Sequence, residues 1–182
     1  MKVLAISGSL RAASINTALL RAAARLAPRE IEIALLRGIG ELPLFNPDLE
    51  SDVPAAVAAM RSAVAAADAL LIASPEYAHG VTGTIKNLLD WLVSYEPFVY
   101  KPVAVFNASP RASHADAALR ETLRTMSAVL VEEASASIPL LGAGLDENAM
   151  VESPGVSRAI EEALGALYRA VRPQNTPTAP TR

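Results

Sequence analysis

Short apolar runs alternate with helix-patterned stretches along the chain, and this alternation constrains the fold more than any other feature of the sequence. The apolar runs occupy residues 3–6, 31–35, 69–73 and 103–106, with a fifth run within residues 129–138. Apolar residues recur every three or four positions in the segments that follow, as between Ile15 and Leu26, and Pro28 ends that helix. Five strand–helix units in succession predict a parallel sheet with helices on both faces.

The five predicted strands differ in polarity, and this difference predicts their order. The first, third and fourth are apolar throughout, as central strands of such a sheet must be. The second carries Glu30 and Glu32 and the fifth carries Glu132 and Glu133, which is typical of edge strands. The order 2-1-3-4-5 follows, which is a flavodoxin-like, doubly wound, three-layer α/β fold with a five-stranded parallel sheet. We expect one domain over residues 1–172 and a disordered, Pro- and Thr-rich tail over residues 173–182.

Composition excludes several classes of function. The 182 residues contain no cysteine, and His79 and His114 are the two histidines, so thiolate catalysis, iron–sulfur clusters and His-rich metal sites are excluded. A net charge of -3 argues against nucleic-acid binding. The sequence has no signal-peptide pattern and no apolar stretch long enough to cross a membrane. We therefore expect a cytoplasmic protein without a metal, a nucleic-acid partner or a membrane partner.

The loop after the first strand has the composition of a phosphate site. In a sheet of this order, ligands bind beyond the carboxyl ends of the strands, where strands one and three diverge. The loop contains Ser9, Arg11, Ser14 and Asn16 at the start of a helix, where free N–H groups and the helix dipole favour anions. Ser14 as a helix cap alone is the alternative interpretation. The glycine patterns of dinucleotide and Walker loops are absent, so the loop indicates a mononucleotide such as FMN.

Two further loops reach the same edge of the sheet. The loop over residues 74–87 offers the backbone N–H groups of Glu76 and Tyr77 to the polar atoms of an isoalloxazine ring, and a Tyr side chain beside it. An ordinary connecting loop with Tyr77 packed beneath it is the alternative. In the third loop, Ser109 is placed to bond the pyrimidine edge of a flavin. Arg111 is either a ligand for a phosphate of NADPH or a substrate anion, or a solvated surface charge.

Three motifs, in order, resemble the NADPH-dependent FMN reductase family over residues 1–140. They are Ser9-Leu10-Arg11-x-x-Ser14-x-Asn16, Ser74-Pro75-Glu76-Tyr77 and Gly83-Thr84-Ile85-Lys86-Asn87-Leu88-Leu89-Asp90-Trp91. The resemblance implies non-covalent FMN and two-electron transfer from NADPH or NADH to a small acceptor. Quinones, azo compounds, chromate and free flavin all remain open as the acceptor, and FMN itself remains open as a bound cofactor or a released product. A flavodoxin-like electron carrier and a non-catalytic FMN-binding protein are the alternatives.

The resemblance also implies which residues bind the cofactor. They are Ser9, Arg11, Ser14, Asn16 and Thr17 at the phosphate, Pro75, Glu76, Tyr77 and Ala78 beside the ring, and Ser109 in the third loop. No catalytic side chain is expected, because the flavin carries the chemistry. The sequence departs from the family at Ala78, where many members have Asn.

A homodimer or homotetramer is expected, as in the family, and we predict that residues 84–95 form its interface. Ile85, Leu88, Leu89 and Leu92 mark one apolar face of this predicted helix, whereas Trp91 and Tyr95 point to another side. Phe98 or Tyr100 would then line the neighbour's pocket. The alternative is that Trp91 covers the core of its own domain. Residues 42–50, rich in proline and without a period, are expected to form a preformed rim over the open face of the flavin.

Overall fold

The computed structural model describes residues 1–140 and 142–172, so the tail predicted to be disordered lies outside the described residues. A parallel sheet runs through the centre of the molecule, and helices cover both of its faces. The strands are β1 (Lys2–Ser7), β2 (Glu32–Leu35), β3 (Ala69–Ala73), β4 (Pro102–Asn107), β5 (Val129–Leu130) and β6 (Ala136–Ser137). The helices are α1 (Ile15–Leu26), α2 (Ala55–Ala66), α3 (Gly83–Asp90), α4 (Ser113–Thr125), α5 (Glu147–Glu152) and α6 (Pro154–Val171).

The sheet has the order β2-β1-β3-β4-β5, with all pairs parallel, which confirms the predicted fold. In the centre, Val3 lies opposite Ala69, and Leu70 lies opposite Val103. Successive residues of these strands point to opposite faces and both faces are covered, so the central strands need apolar residues at every position.

Two hydrophobic cores flank the sheet. One lies beneath α1 and α6 and takes in Ala5, Leu71 and Phe106, and the other lies beneath α2, α3 and α4 and takes in Ile6 and Ile72. Each core draws alternate residues from the same strands. The carboxyl ends of β1, β3 and β4 therefore have fixed positions relative to each other, set by packing on both sides.

The predicted fifth strand is interrupted. Instead of one run over residues 129–138, the short strands β5 and β6 both pair with β4, and a 3₁₀ turn at Glu132–Ala134 separates them. Within the gap the Val105 N–H donates to the Ser135 Oγ at 3.0 Å, so a side chain replaces the missing backbone acceptor. The turn lets Glu132 leave the sheet and pair with Arg120 at 2.6 Å and Arg124 at 2.8 Å.

The exposed aromatic face predicted for residues 84–95 is wrong, and the alternative interpretation is correct. The helix α3 ends at Asp90, and the Trp91 side chain is fully buried in the core of its own domain. The Trp91 Nε1 donates to the Pro43 carbonyl at 2.8 Å, and the Phe45 ring meets the indole edge-on at 5.1 Å. Phe98 is also buried, so it cannot line a neighbour's pocket, whereas the Tyr100 side chain is exposed. The oligomeric state itself stays a prediction.

Among the described residues, no helix combines the length and the apolar character that crossing a membrane requires.

Candidate functional site

The three predicted loops meet at the carboxyl ends of β1, β3 and β4 and enclose a cavity of about 990 Å³. This volume lies near the upper end of the range for small-molecule sites. The walls include eight of the ten residues predicted to bind the cofactor: Ser9, Arg11, Ser14, Asn16, Pro75, Glu76, Tyr77 and Ser109. The other two, Thr17 and Ala78, lie outside the cavity wall.

Hydroxyl groups hold the first loop in shape. The Ser14 Oγ accepts from the Thr17 N–H at 3.2 Å, so Ser14 is a helix cap as well as a residue of the cavity wall. The Ser9 Oγ accepts from the Arg11 N–H at 3.4 Å. The Thr17 hydroxyl pairs with the Ser7 hydroxyl at 2.8 Å, which makes Thr17 a support of the loop rather than a residue that faces the ligand. Because Ser9 and Ser14 act as acceptors here, each retains its O–H to donate to a bound anion.

The first turn of α1 combines an anion-binding helix end with a buried amide. It contains no acidic residue, so the positive end of the helix dipole is not neutralised locally. The Asn16 side chain is buried on the cavity wall, and its Oδ1 has no hydrogen-bond partner among the described residues. A buried amide without a partner is costly in a protein that binds nothing at that point. The N–H groups of this turn, the Asn16 Nδ2 and the exposed Arg11 guanidinium are donors that fit a phosphate, whereas the unpaired Asn16 Oδ1 is an acceptor that fits a ligand hydroxyl.

The first and second loops are in direct contact at Gly8. A Cβ atom at this position would lie 2.2 Å from the Ser74 Oγ, so only glycine allows this approach. The Thr82 hydroxyl donates to the Gly8 carbonyl at 2.8 Å, and the Gly8 N–H donates to the Ala73 carbonyl at 2.9 Å. The phosphate loop and the loop expected beside the ring therefore form one rigid unit.

A tight turn at Tyr77–Gly80 projects from the second loop. The Tyr77 N–H donates to the Gly80 carbonyl at 3.2 Å, and the Gly80 N–H donates back to the Tyr77 carbonyl at 3.0 Å. Ala78 (φ 50°) and His79 (φ 59°) both occupy the left-handed region, as the two central residues of such a turn require. This conformation suits Asn or Gly better than Ala.

Of the two backbone N–H groups predicted to donate to the ring, one already donates a hydrogen bond within the protein. The Tyr77 N–H bonds to Gly80 within the turn, whereas the Glu76 N–H has no protein acceptor among the described residues. The Tyr77 side chain lies on the cavity wall and is 59% exposed, so it is not packed beneath the loop. Glu76 therefore has the N–H available to a ligand, and Tyr77 contributes its side chain.

The Glu76 carboxylate joins the second loop to the third. Its Oε2 accepts from the Ala115 N–H at 2.8 Å, in the first turn of α4, where the capping residue Ala112 has no side-chain acceptor. Its Oε1 lies 3.1 Å from the His79 Nδ1, and the His79 and His114 rings are 4.6 Å apart. The hydrogen bond from Ala115 is the main cause that lowers the pKa of Glu76, the bond to His79 and the two histidines' charge add to it, and burial opposes it. The Glu76 side chain is thus a support, and neither histidine lines the cavity.

The third loop is a compact turn that places a hydroxyl and a cation at the cavity. The Ser109 N–H donates to the Asn107 Oδ1 at 2.9 Å, and the Ala112 N–H donates to the Ser109 carbonyl at 3.0 Å. Ser109 lies on the cavity wall as predicted. Arg111 lies there too, and its exposed side chain has no ion pair among the described residues. The geometry therefore favours Arg111 as a candidate anion ligand.

The remaining wall comes from a segment that the sequence analysis did not assign. Its residues are Leu140, Gly142, Gly144, Leu145, Asp146 and Glu147, opposite Arg21 of α1. Gly142 (φ 82°) and Gly144 (φ 65°) bend the chain, and Asp146 caps α5 through the Ala149 N–H at 2.9 Å. In the sequence, this segment is marked by two glycines followed by a helix-capping Asp. This pattern indicates a turn before a helix and does not indicate a cavity wall.

The loop expected to form the rim lies elsewhere. None of residues 42–50 lines the cavity, so the predicted rim over the ligand is wrong. The Asn87 side chain holds this loop, because its Oδ1 accepts from the Phe45 N–H at 2.8 Å and its Nδ2 donates to the Pro43 carbonyl at 3.0 Å. The loop packs against α3 and Trp91, as expected of a preformed rather than a mobile segment.

Comparisons with known proteins agree on one group of enzymes. A sequence model described as NADPH-dependent FMN reductase matches residues 1–140. The NAD(P)H-dependent FMN reductase of Pseudomonas aeruginosa is 43% identical over 131 residues, which is 68% of this chain and 69% of the relative. The quinone reductase of Escherichia coli K12 is 34% identical over 113 residues, or 60% of each chain. Among solved structures, the flavoenzyme FerB, an NAD(P)H:(acceptor) oxidoreductase from Paracoccus denitrificans, is similar with a TM-score of 0.83 and 29% identity, covering 93% of this chain and 96% of that chain.

Proposed function

The chain belongs to the NADPH-dependent FMN reductase family, and from this membership we propose that it passes two electrons from NAD(P)H through bound FMN to a small acceptor. It is an oxidoreductase with FMN as its cofactor and NAD(P)H as its electron donor. We propose a quinone as the principal acceptor, since relatives carry that activity in their names. Azo compounds, chromate and free flavin are the other candidates.

One observation carries the proposal: a single cavity joins a phosphate site to a site for a flat, partly polar ring. Ser9, Arg11 and Ser14 supply donors at the start of α1, and the Asn16 amide beside them lacks a protein partner. The ring site follows at the Glu76 N–H and Ser109. The spare hydroxyl donors fit the phosphate of FMN, and the unpaired Asn16 Oδ1, an acceptor, fits a hydroxyl group of the adjoining ribityl chain.

The residues of this chain bind and orient rather than react. When bound, FMN supplies the hydride chemistry. The donors of the first loop would hold its phosphate, the Glu76 N–H and Ser109 would fix the ring edge, and the Tyr77 side chain would flank the ring. The Glu76 carboxylate is committed to Ala115 and His79, so it is not free to act as an acid or base. Histidine does not line the cavity, which supports a mechanism without a protein acid at the ring.

We further propose that nicotinamide and acceptor use the same side of the cavity in turn. The second and third loops are braced against each other through Glu76, and residues 42–50 are held away by Asn87. A ring bound between these loops would leave one face for both substrates. Kinetics of the ping-pong type follow, because two molecules that share one place cannot bind together.

The same proposal includes the predicted site residues and a single domain over residues 1–172. It also includes a cytoplasmic location and a homodimer or homotetramer. The oligomer does not depend on Trp91, which the domain uses for its own core. The oligomer is supported by the resemblance to the family.

Anaerobic stopped-flow mixing tests the function directly. FMN-loaded protein is mixed with NADPH or NADH, and bleaching of the flavin absorbance is followed, then reoxidation by quinone, azo dye, chromate or free FMN. Fast bleaching followed by rapid reoxidation by quinone is the expected result. A protein that binds FMN but is reduced by neither nicotinamide would be an electron carrier or a binding protein. Release of FMN on reduction would identify the flavin as a product rather than a cofactor.

A further inference from the structure

The cavity continues past the phosphate loop along the outer side of α1. Ile15, Ala18 and Arg21 recur every three residues on this helix and all line the cavity. Leu145, Asp146 and Glu147 line the same cavity. We call this part the α1 slot. At about 990 Å³ the whole cavity is near the top of the range of roughly 300–1,000 Å³ for ligand sites, which is consistent with a ligand longer than a mononucleotide.

The slot combines apolar walls with an available cation. Ile15, Ala18 and Leu145 are half-buried and present aliphatic surface to it. Arg21 is exposed and has no ion pair among the described residues. Of the nearby carboxylates, Glu147 pairs with Arg25 at 3.3 Å, and Asp146 accepts from the Ala149 N–H and keeps its negative charge, but neither pairs with Arg21. The positive charge of Arg21 is therefore available to a ligand.

We propose that the α1 slot binds the adenosine-phosphate end of a dinucleotide, with the purine against Ile15, Ala18 and Leu145 and a phosphate on Arg21. Arg21 lies seven residues after Ser14, roughly 10 Å further along the axis at 1.5 Å per residue. It is therefore placed for a different phosphate from the one at the helix start. The inference rests on the proposed function, because two ligands of such an enzyme carry an adenosine-phosphate group. They are NADPH, with its 2′-phosphate, and FAD, with its adenylate.

Two binding measurements distinguish the sources. For NADPH, 2′,5′-ADP serves as the probe, and its dissociation constant is measured directly by calorimetric titration of the FMN-loaded protein. For FAD, the affinity of the apo-protein for FAD is compared with its affinity for FMN. Arg21→Gln removes the charge and keeps the length, and we expect it to weaken one of the two interactions by about tenfold to a hundredfold. Arg29→Gln, an exposed cation outside the cavity, is the matched control and should leave both unchanged.

A second variant tests the purine position without changing charge. Ala18→Leu places a larger side chain in the slot and should weaken the same probe that Arg21→Gln weakens. If Arg21→Gln and Arg29→Gln behave alike towards both probes, the proposal is wrong. It is also wrong if Arg21→Gln weakens FMN as much as FAD, because Arg21 would then belong to the FMN phosphate site. The direct binding of FAD and of 2′,5′-ADP is measurable even if nicotinamides fail to reduce the flavin, so the two failures are distinguishable.

Discussion

Arg11 stands on the cavity wall beside two serines whose oxygens already accept hydrogen bonds within the loop. We expect Arg11→Ala to raise the dissociation constant for FMN about tenfold to a hundredfold, because a charge-assisted hydrogen bond is worth roughly 1.5–3 kcal/mol. Titration of apo-protein with FMN measures this, with Arg29→Ala as the control. An unchanged constant would show that Arg11 is an ordinary surface charge.

Glu76 connects two loops, and its variant should reveal this connection through pH. Because the folded protein lowers the pKa of Glu76, its ionised carboxylate stabilises the fold above the unfolded pKa of about 4.3, and this contribution is lost as the pH falls through the lower, folded value. We expect Glu76→Gln to be less stable than the wild type at pH 7, with a difference that shrinks towards pH 3. Urea unfolding across this range measures it, and a difference that does not vary with pH would contradict the assigned role.

The place of a residue in the site was predictable where it depends on neighbours in the sequence. It was not predictable where it depends on contacts between distant parts of the chain. Ser9, Arg11, Ser14 and Asn16 occur together within one strand-to-helix loop, so their common place on the cavity wall could be predicted from position. The Glu76 side chain bonds to Ala115, 39 positions away, and no local pattern indicates such a contact. The prediction for Glu76 concerned its backbone N–H at the cavity, which stays a prediction, and it did not include the contact of its carboxylate with Ala115.

At the scale of elements, the interrupted edge strand depends on one hydroxyl. Ser135→Ala would leave the buried Val105 N–H without its acceptor, and we expect a loss of about 1–3 kcal/mol in the free energy of unfolding. Ser137→Ala in the neighbouring strand β6, where the side chain is exposed, should change it little. Chemical denaturation of both variants tests this. Equal stability of the two would show that Val105 finds another partner.

Helix periodicity predicted that α3 exists but not where it ends. The apolar period continues through Leu92 and Tyr95, so the sequence reads as one helix beyond Asp90. The chain departs from it because Trp91 bonds to the Pro43 carbonyl and packs on Phe45, in a loop more than forty positions earlier. The apolar period of residues 84–95 carries no information on a contact with a distant loop. The predicted aromatic interface was wrong for that reason.

Across the whole molecule, the order of the strands was predictable because burial on both faces of a sheet leaves apolar runs in the sequence. The wall formed by residues 140 and 142–147 was not, since two glycines and a capping Asp have no period. All three loops line one cavity at the same edge of the sheet, and on this basis we propose that a single site serves both substrates.

We expect this shared site to give parallel double-reciprocal lines and inhibition by high quinone. A dead-end nicotinamide analogue and a quinone should exclude each other when titrated together into the FMN-loaded protein. Simultaneous binding would contradict a cavity with one open face.

The turn at Tyr77–Gly80 also bears on how readily this protein could change. Ala78 and His79 hold left-handed backbone angles that cost L-residues other than Asn, Asp and Gly roughly 1–2 kcal/mol each. Both side chains are exposed and neither residue lines the cavity, but the His79 ring bonds to the Glu76 carboxylate. Replacing Ala78 with Asn or Gly therefore relieves backbone strain without removing a side-chain contact, whereas replacing His79 does not. In directed evolution, the stability recovered there would offset destabilising substitutions in the cavity walls. Substitution at position 78 could thus compensate for destabilising changes made to select a new acceptor.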